Sequence, residues 1–357
     1  MSYIVLFELP THSSGTGTGP LFSPNTWTTR LTLLHMNLPF RVVELDGPSL
    51  RHEYFTRVFG KRPLVPMIEV PDDQTCADLQ EQALAASSSA SQGHENGSVI
   101  GGPEFLKNRP GPQERGGRLV MDTMIIARTL HDIFPKLHSP FVPERSASEA
   151  SISDLRAGAN WAHLLKRGLG NSESRWSWHF ELLAPAIAAN MDPRVRTFFK
   201  SDEKNGKGGW QKLLALDRGE LLARTRRSLR PISHHFSNPV PFSDDSAPPL
   251  FLQSPTRPGL SDAVIFGRYA MSAATDSTLS KAIWAEDPKV AREWFAANRR
   301  PEDAELPVVE GEWDGDITLP GLQGWIDRMM DWSGGHARSQ LSQEQRPRAK
   351  LQASDFE

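Results

Sequence analysis

The sequence predicts an α/β unit followed by an all-helical one. Strand-like apolar runs occur only before residue 122, and after residue 143 apolar residues recur at helical spacing alone. A polar stretch at 72–117, rich in Ser, Gly, Gln, Glu and Pro, interrupts the α/β part without adding a periodicity of its own.

The first run, residues 3–9, is short, apolar and rich in β-formers, and Pro10 ends it, so it reads as a buried strand. A Gly/Ser/Thr loop at 12–20 leads to Ser23-Pro24. From there Trp27, Leu31, Leu34 and Leu38 mark a helix that closes near Asn37. Phe40, Val42, Val43 and Leu45 form a second strand, and Tyr54, Phe55, Val58 and Phe59 a short helix. Residues 64–70 read as a third strand with Pro66 near its start, and 72–117 as a disordered or flexible insertion. Residues 118–121 then give a fourth strand, and a helix over 122–134 carries Ile126, Leu130 and Ile133 on one stripe.

The order is β-α-β-α-β-β-α, a βαβ unit followed by a ββα unit, which is a thioredoxin-like layout. The insertion does not disturb it, because lengthening a connection costs only about 0.6 kcal/mol per doubling. Helices are expected near 146–169, 175–189, 192–200, 208–230, 261–274, 277–298 and 320–334, with polar loops at 237–258 and 300–318. The last helix places Leu322, Trp325, Ile326, Met329 and Met330 at i, i+3, i+4, i+7 and i+8. The expected division is a first domain over 1–138, a helical domain over 144–336 and a disordered tail over 337–357.

Composition bounds the function. A chain of 357 residues suits two domains plus insertions, and a formal charge of −3 lacks the basic excess of a nucleic-acid binder. The densest basic stretch, Arg224 to Arg230, reads as a solvated helix face. The single cysteine, Cys76, rules out a disulfide within the chain and fits a reducing compartment. The first residues lack a basic leader, and no apolar run approaches the roughly 18 residues of a membrane span. A cytoplasmic location is expected. His234-His235 has no third ligand at metal spacing, so no metal site is expected.

Three places carry possible chemistry. Ser23 and Pro24 are an N-cap and N1 pair, and the Ser23 hydroxyl over a helix N-terminus also favours a ligand thiolate over its thiol. Val65-Pro66 is either an edge device or, in a thioredoxin-like layout, a cis bond that turns the Val65 backbone outward toward a peptide ligand. Asp122 or Thr123 caps the following helix, and such a helix start also receives carboxylates.

In this order the three places resemble the glutathione transferase family, nearest to its bacterial β-etherase-like and fungal etherase-type members. The Ser-Pro-x-x-Trp run from Ser23, Val65-Pro66, Asp122-Thr123, the stretch 261–269 and the late 325–331 carry the likeness. Thr123 stands where serine is usual, and Gly259 where the core helix usually starts with Ser or Thr, with Asp262 retained.

The resemblance implies glutathione as co-substrate, with Ser23 activating its thiol and Asn25 nearby. Val65 would pair with the cysteinyl backbone, Asp122 and Thr123 would hold the γ-glutamyl end, and Arg51 or His52 would meet the glycyl carboxylate. A small apolar or aromatic electrophile would lie against Trp161, Trp176 and Trp178, for conjugation or ether cleavage. A serine cannot resolve a mixed disulfide. Homodimers are usual in that family. The competing reading is a non-catalytic ligand-binding or interaction protein of the same architecture.

Overall fold

The computed structural model describes residues 3–8, 23–44, 64–88, 98–101, 116–168, 177–191, 193–238, 249–298, 313–332 and 335–342. The strands are β1 (Ile4–Glu8), β2 (Phe40–Glu44), β3 (Met67–Val70), β4 (Ser98–Gly101) and β5 (Arg118–Met121), in spatial order β4-β2-β1-β3-β5. β1 is central and buried along its whole length, as a continuous apolar run should be when both faces are covered. It runs parallel to β2 and antiparallel to β3, and β3 is antiparallel to β5. The helix of the first crossover is α1 (Pro24–His35). This is the thioredoxin-like layout.

Within the stretch expected to be a disordered insertion, residues 73–88 form a helix, α2 (Asp73–Ser88), and β4 adds a fifth strand beside β2. Helix α2 buries only Cys76, Leu79 and Ala83. That stripe is too narrow to stand out among its Asp, Gln and Glu neighbours. Asp72 starts the helix by accepting the Thr75 N–H at 2.9 Å. Burial pushes the Cys76 thiol up to about 11, so it is a packing residue and not a nucleophile. The helix expected around Tyr54 lies outside the described residues.

After β5 the chain is helical: α3 (Thr123–Ile133), α4 (Ile152–Gly168), α5 (Trp178–Ala189), α6 (Pro193–Lys200), α7 (Asp202–Asn205), α8 (Gly209–Leu214), α9 (Arg218–Ser237), α10 (Leu260–Thr275), α11 (Ser277–Trp284), α12 (Pro288–Ala297), α13 (Leu322–Trp332) and α14 (His336–Ser342). Two long expected helices are split. Asp217 caps α9 and Asp287, followed by Pro288, caps α12, so each interrupts what periodicity alone reads as continuous. Helix α9 also runs through Pro231 to Ser237, past the expected end at 230. The tail does not begin at 337: α14 covers 336–342 and buries Ala337 completely.

Helix α10 joins the halves. It lies along α1, with Trp27 edge-on to Phe266 at 5.8 Å and the Thr28 hydroxyl donating to the Pro24 and Ala263 carbonyls. A Cβ on Gly267 would overlap the Pro24 carbonyl, so glycine is what lets the two backbones meet. Asp262 anchors the start of α10. Its carboxylate accepts from the Leu252 and Gly259 N–H groups and the Trp325 indole at 2.9–3.0 Å. Gly259 is the N-cap without a side-chain bond, as its substitution for Ser or Thr requires. Helix α1 is almost wholly buried between the sheet and α10. Arg30 on α1 is paired with both oxygens of Glu8 at 2.8 Å, so even its one cation has a built-in counterion.

Candidate functional site

The sheet register brings separate stretches of the chain to one edge. Phe7 at the end of β1 is level with Met67 at the start of β3, and Met67 is level with Met121 at the end of β5. Pro66 and Asp122 are each one residue beyond this row. They therefore lie on adjacent strands, which in a sheet are about 5 Å apart. The Val65–Pro66 bond is cis. Val65 is partly buried, precedes β3, and its backbone N–H and C=O meet no partner among the described residues.

Ser23 is the N-cap of α1. Its backbone is extended and its Oγ accepts the Thr26 N–H at 3.3 Å. That bond uses a lone pair and leaves the hydroxyl proton free to donate, so the cap and a role toward a thiolate are compatible. The α1 N-terminus adds a positive dipole end in the same place.

Asp122 caps α3, accepting from the Met124 and Ile125 N–H groups at 2.9 and 3.3 Å. Its φ of 76° is a left-handed value that a residue with a side chain adopts at a cost of about 1–3 kcal/mol. With its carboxylate occupied two and three residues ahead, the N–H and hydroxyl of Thr123 meet no partner among the described residues, although the side chain is buried.

The starts of α1 and α3 share a cleft with α10. It is lined by Pro24, Asn25 and Thr28 from α1, Thr123 and Met124 from α3, and Val264 and Arg268 from α10. Arg268 is the only charged side chain among the described residues that line it. Burial pushes the guanidinium down to about 10, and no described carboxylate or hydrogen-bond partner offsets that. His179 on α5 is held neutral, its pKa lowered to about 3 by burial first and then by the Arg268 charge, and neither ring nitrogen has a partner among the described residues.

The structure thus gathers Asn25 and Thr123 into one cleft, sets Ser23 at the end of the helix that lines it, and places Asp122 beside Pro66. Arg51, His52 and Trp176 lie outside the described residues. The expected aromatic pocket is not at this cleft. Trp161 is 36% exposed on α4, and Trp178 packs at the start of α5 with the Arg224 guanidinium 5.5 Å over its ring, so neither lines it. Their spacing along the chain did not reveal that they serve other packing surfaces.

Thr28, Val264 and Arg268 lie in stretches that carry the resemblance, but the sequence assigns none of them to a site. Val264 and Arg268 are four residues apart on one helix, a spacing that shares a face. Nothing local, however, says that this face meets α1 and α3.

Among the described residues, no helix is long and apolar enough to cross a membrane. No family model matches the chain, and no curated protein matches it. Similar solved structures exist. A glutathione S-transferase of Ceriporiopsis subvermispora in complex with glutathione has 15% identity and a TM-score of 0.49, covering 94% of this chain and 99% of its own. The glutathione transferase Omega 2S of Trametes versicolor has 12% identity and a TM-score of 0.42, covering 96% of each chain. A glutathione S-transferase III in apo form has 13% identity and a TM-score of 0.36, covering 86% of this chain and all of its own. All three scores lie below 0.5.

Proposed function

We propose that the chain is a glutathione-dependent transferase, and the observation that carries the reading is the cleft shared by the starts of α1 and α3, with Pro66 on the strand beside Asp122. A cap hydroxyl at Ser23, and a Val65 backbone and a Thr123 helix start that meet no partner among the described residues, are the three kinds of contact a tripeptide thiol needs. In this reading the Ser23 hydroxyl donates to the glutathione sulfur and, with the α1 dipole, lowers the thiol pKa. Val65 pairs with the cysteinyl backbone. Asp122 and Thr123 hold the γ-glutamyl end, Asn25 sits near the sulfur, and Arg51 or His52 meets the glycyl carboxylate.

The thiol proton leaves to solvent, and the thiolate attacks an electrophilic carbon of an apolar or aromatic substrate. A C–S bond forms. The bond to a halide or aryl ether oxygen breaks, with the leaving group taking the electron pair. The single, buried Cys76 takes no part, which fits conjugation or ether cleavage in a reducing compartment such as the cytosol.

The test is retention on immobilised glutathione, then turnover of an aryl halide and a β-aryl ether model. Retention with turnover of either supports the enzyme. Retention without turnover indicates a non-catalytic binding protein of the same architecture, and failure to bind glutathione rejects both.

A further inference from the structure

We infer that Arg268 is a carboxylate-binding residue of the cleft between α1 and α3, where the bound anion pairs with a guanidinium that meets no partner among the described residues. The inference rests on the transferase reading and deepens it.

The two fully buried arginines among the described residues are provided for. Arg30 holds both oxygens of Glu8, and Arg226 donates five hydrogen bonds to main-chain carbonyls. Arg268 has neither kind of partner among the described residues. The other described residues that line its cleft are uncharged. Asp122, the cap of α3, is occupied by the Met124 and Ile125 N–H groups. Arg268 is half-buried, and a cation on the wall of a cleft without a described counterion is placed to pair with an anion that enters the cleft.

The cleft is built to receive one. Thr123 offers an N–H and a hydroxyl without described partners at the positive end of α3, and Asn25 offers an amide from the opposite wall. With the forked guanidinium, these donors surround a planar carboxylate, which arginine binds through two parallel N–H groups. Glycine at 267 holds the next residue, Arg268, at the level of the α1 N-terminus by letting α10 touch Pro24. Two sources have the right chemistry: the γ-glutamyl α-carboxylate of glutathione, and an acidic group on the electrophile.

The experiment compares wild type with Arg268→Gln and Arg268→Lys. Calorimetry measures glutathione and γ-aminobutyryl-cysteinylglycine, which lacks the α-carboxylate. Turnover is measured with a chloronitrobenzoate and with its methyl ester. If glutathione supplies the anion, Arg268→Gln weakens its binding roughly 10- to 100-fold, the size expected for hydrogen bonds between charged groups. Binding of the decarboxylated analogue then stays unchanged, and Arg268→Lys recovers part of the loss. If the electrophile supplies it, glutathione binding is unchanged and the preference for the free acid over the ester collapses by a similar factor.

Either pattern supports the inference. In both, the unliganded Arg268→Gln protein melts at the same or a higher temperature, whereas an arginine that only supports the fold would lower it. Glutathione binding with both preferences unmoved overturns the inference and leaves the transferase reading intact. Wild-type protein that fails to bind glutathione overturns both.

Discussion

Arg226 and Arg268 sit on two helices of the same half, and burial depresses both guanidinium pKa values to about 10. Their surroundings differ. Arg226 on α9 is fully enclosed and ties together the carbonyls of Ala282, Ile283, Ala285, Gly315 and Ile317, with Asp316 and Asp287 favouring its charge. Arg268 faces a cleft and touches no described acceptor. One region is closed on itself, and the other opens onto the cleft. Polar groups that hold a fold are therefore distinguished here by satisfaction, not by burial.

The sharpest test of the closed region is Arg226→Met. It keeps the volume but strands carbonyls from α11, the turn after it and the 315–317 segment. Loss of a buried, fully hydrogen-bonded charge centre costs about 3–5 kcal/mol. Urea unfolding should show this as a lower midpoint. A loss under about 1 kcal/mol would mean that water replaces the guanidinium and that the region is not closed.

Acidification probes the same contrast through histidines. His35, His179 and His336 are held neutral, each with a pKa lowered to about 3, by burial first and then by nearby positive charge. The His336 ring nitrogen lies 3.1 Å from an Arg30 nitrogen, so it accepts that N–H and must be unprotonated. Because the unfolded chain takes up these protons near pH 6.5 and the folded one does not, stability is present above 6.5 and is lost as pH falls. Asp262 works the other way. Its pKa is raised to about 6 by burial, so protonating it stabilises the fold between about pH 6 and 4. Three histidines outweigh one aspartate, and the net loss from pH 6.5 to 5.5 is about 2 kcal/mol. Unfolding midpoints that rise over this interval would show that these rings are open to water.

In the open region, Ser23→Ala separates the two uses of one hydroxyl. Loss of the cap costs about 1 kcal/mol of stability. If the same hydroxyl stabilises the thiolate, kcat falls by far more than glutathione affinity, and the pKa read from the thiolate absorbance of bound glutathione rises. Equal kcat in the two proteins would leave Ser23 with capping alone.

How far the sequence revealed this follows from the range of the signals. β1, β2, β3, β5, α1 and α3 were legible because apolar period and cap residues are local, and the Phe7–Met67–Met121 row follows from them once strand directions are known. Helix α2 was not legible, since Cys76, Leu79 and Ala83 form a weak stripe in a polar segment. Neither was α14, whose burial comes from contact with a distant surface. The Asp217 and Asp287 caps were present in the sequence but were overridden by periodicity. Arg268 reads as an ordinary helix residue until α1 and α3 are set against it, and the cleft that makes it informative is formed by three segments together.

The smallest effect on stability is expected at Asp122. Replacement by glycine removes the cap of α3, worth about 0.5–2 kcal/mol, and also relieves the positive-φ backbone, worth about 1–3 kcal/mol, so the two nearly cancel. Asp122→Ala removes the cap and keeps the strain, and it should be the less stable of the pair. The gap between the two variants measures the strain stored where β5 meets α3. If that strain exists to present Thr123 to an anion, the glycine variant should keep its melting temperature yet bind glutathione more weakly. Identical stability of the glycine and alanine variants would mean that the φ of 76° costs nothing, and the junction would then be an ordinary cap.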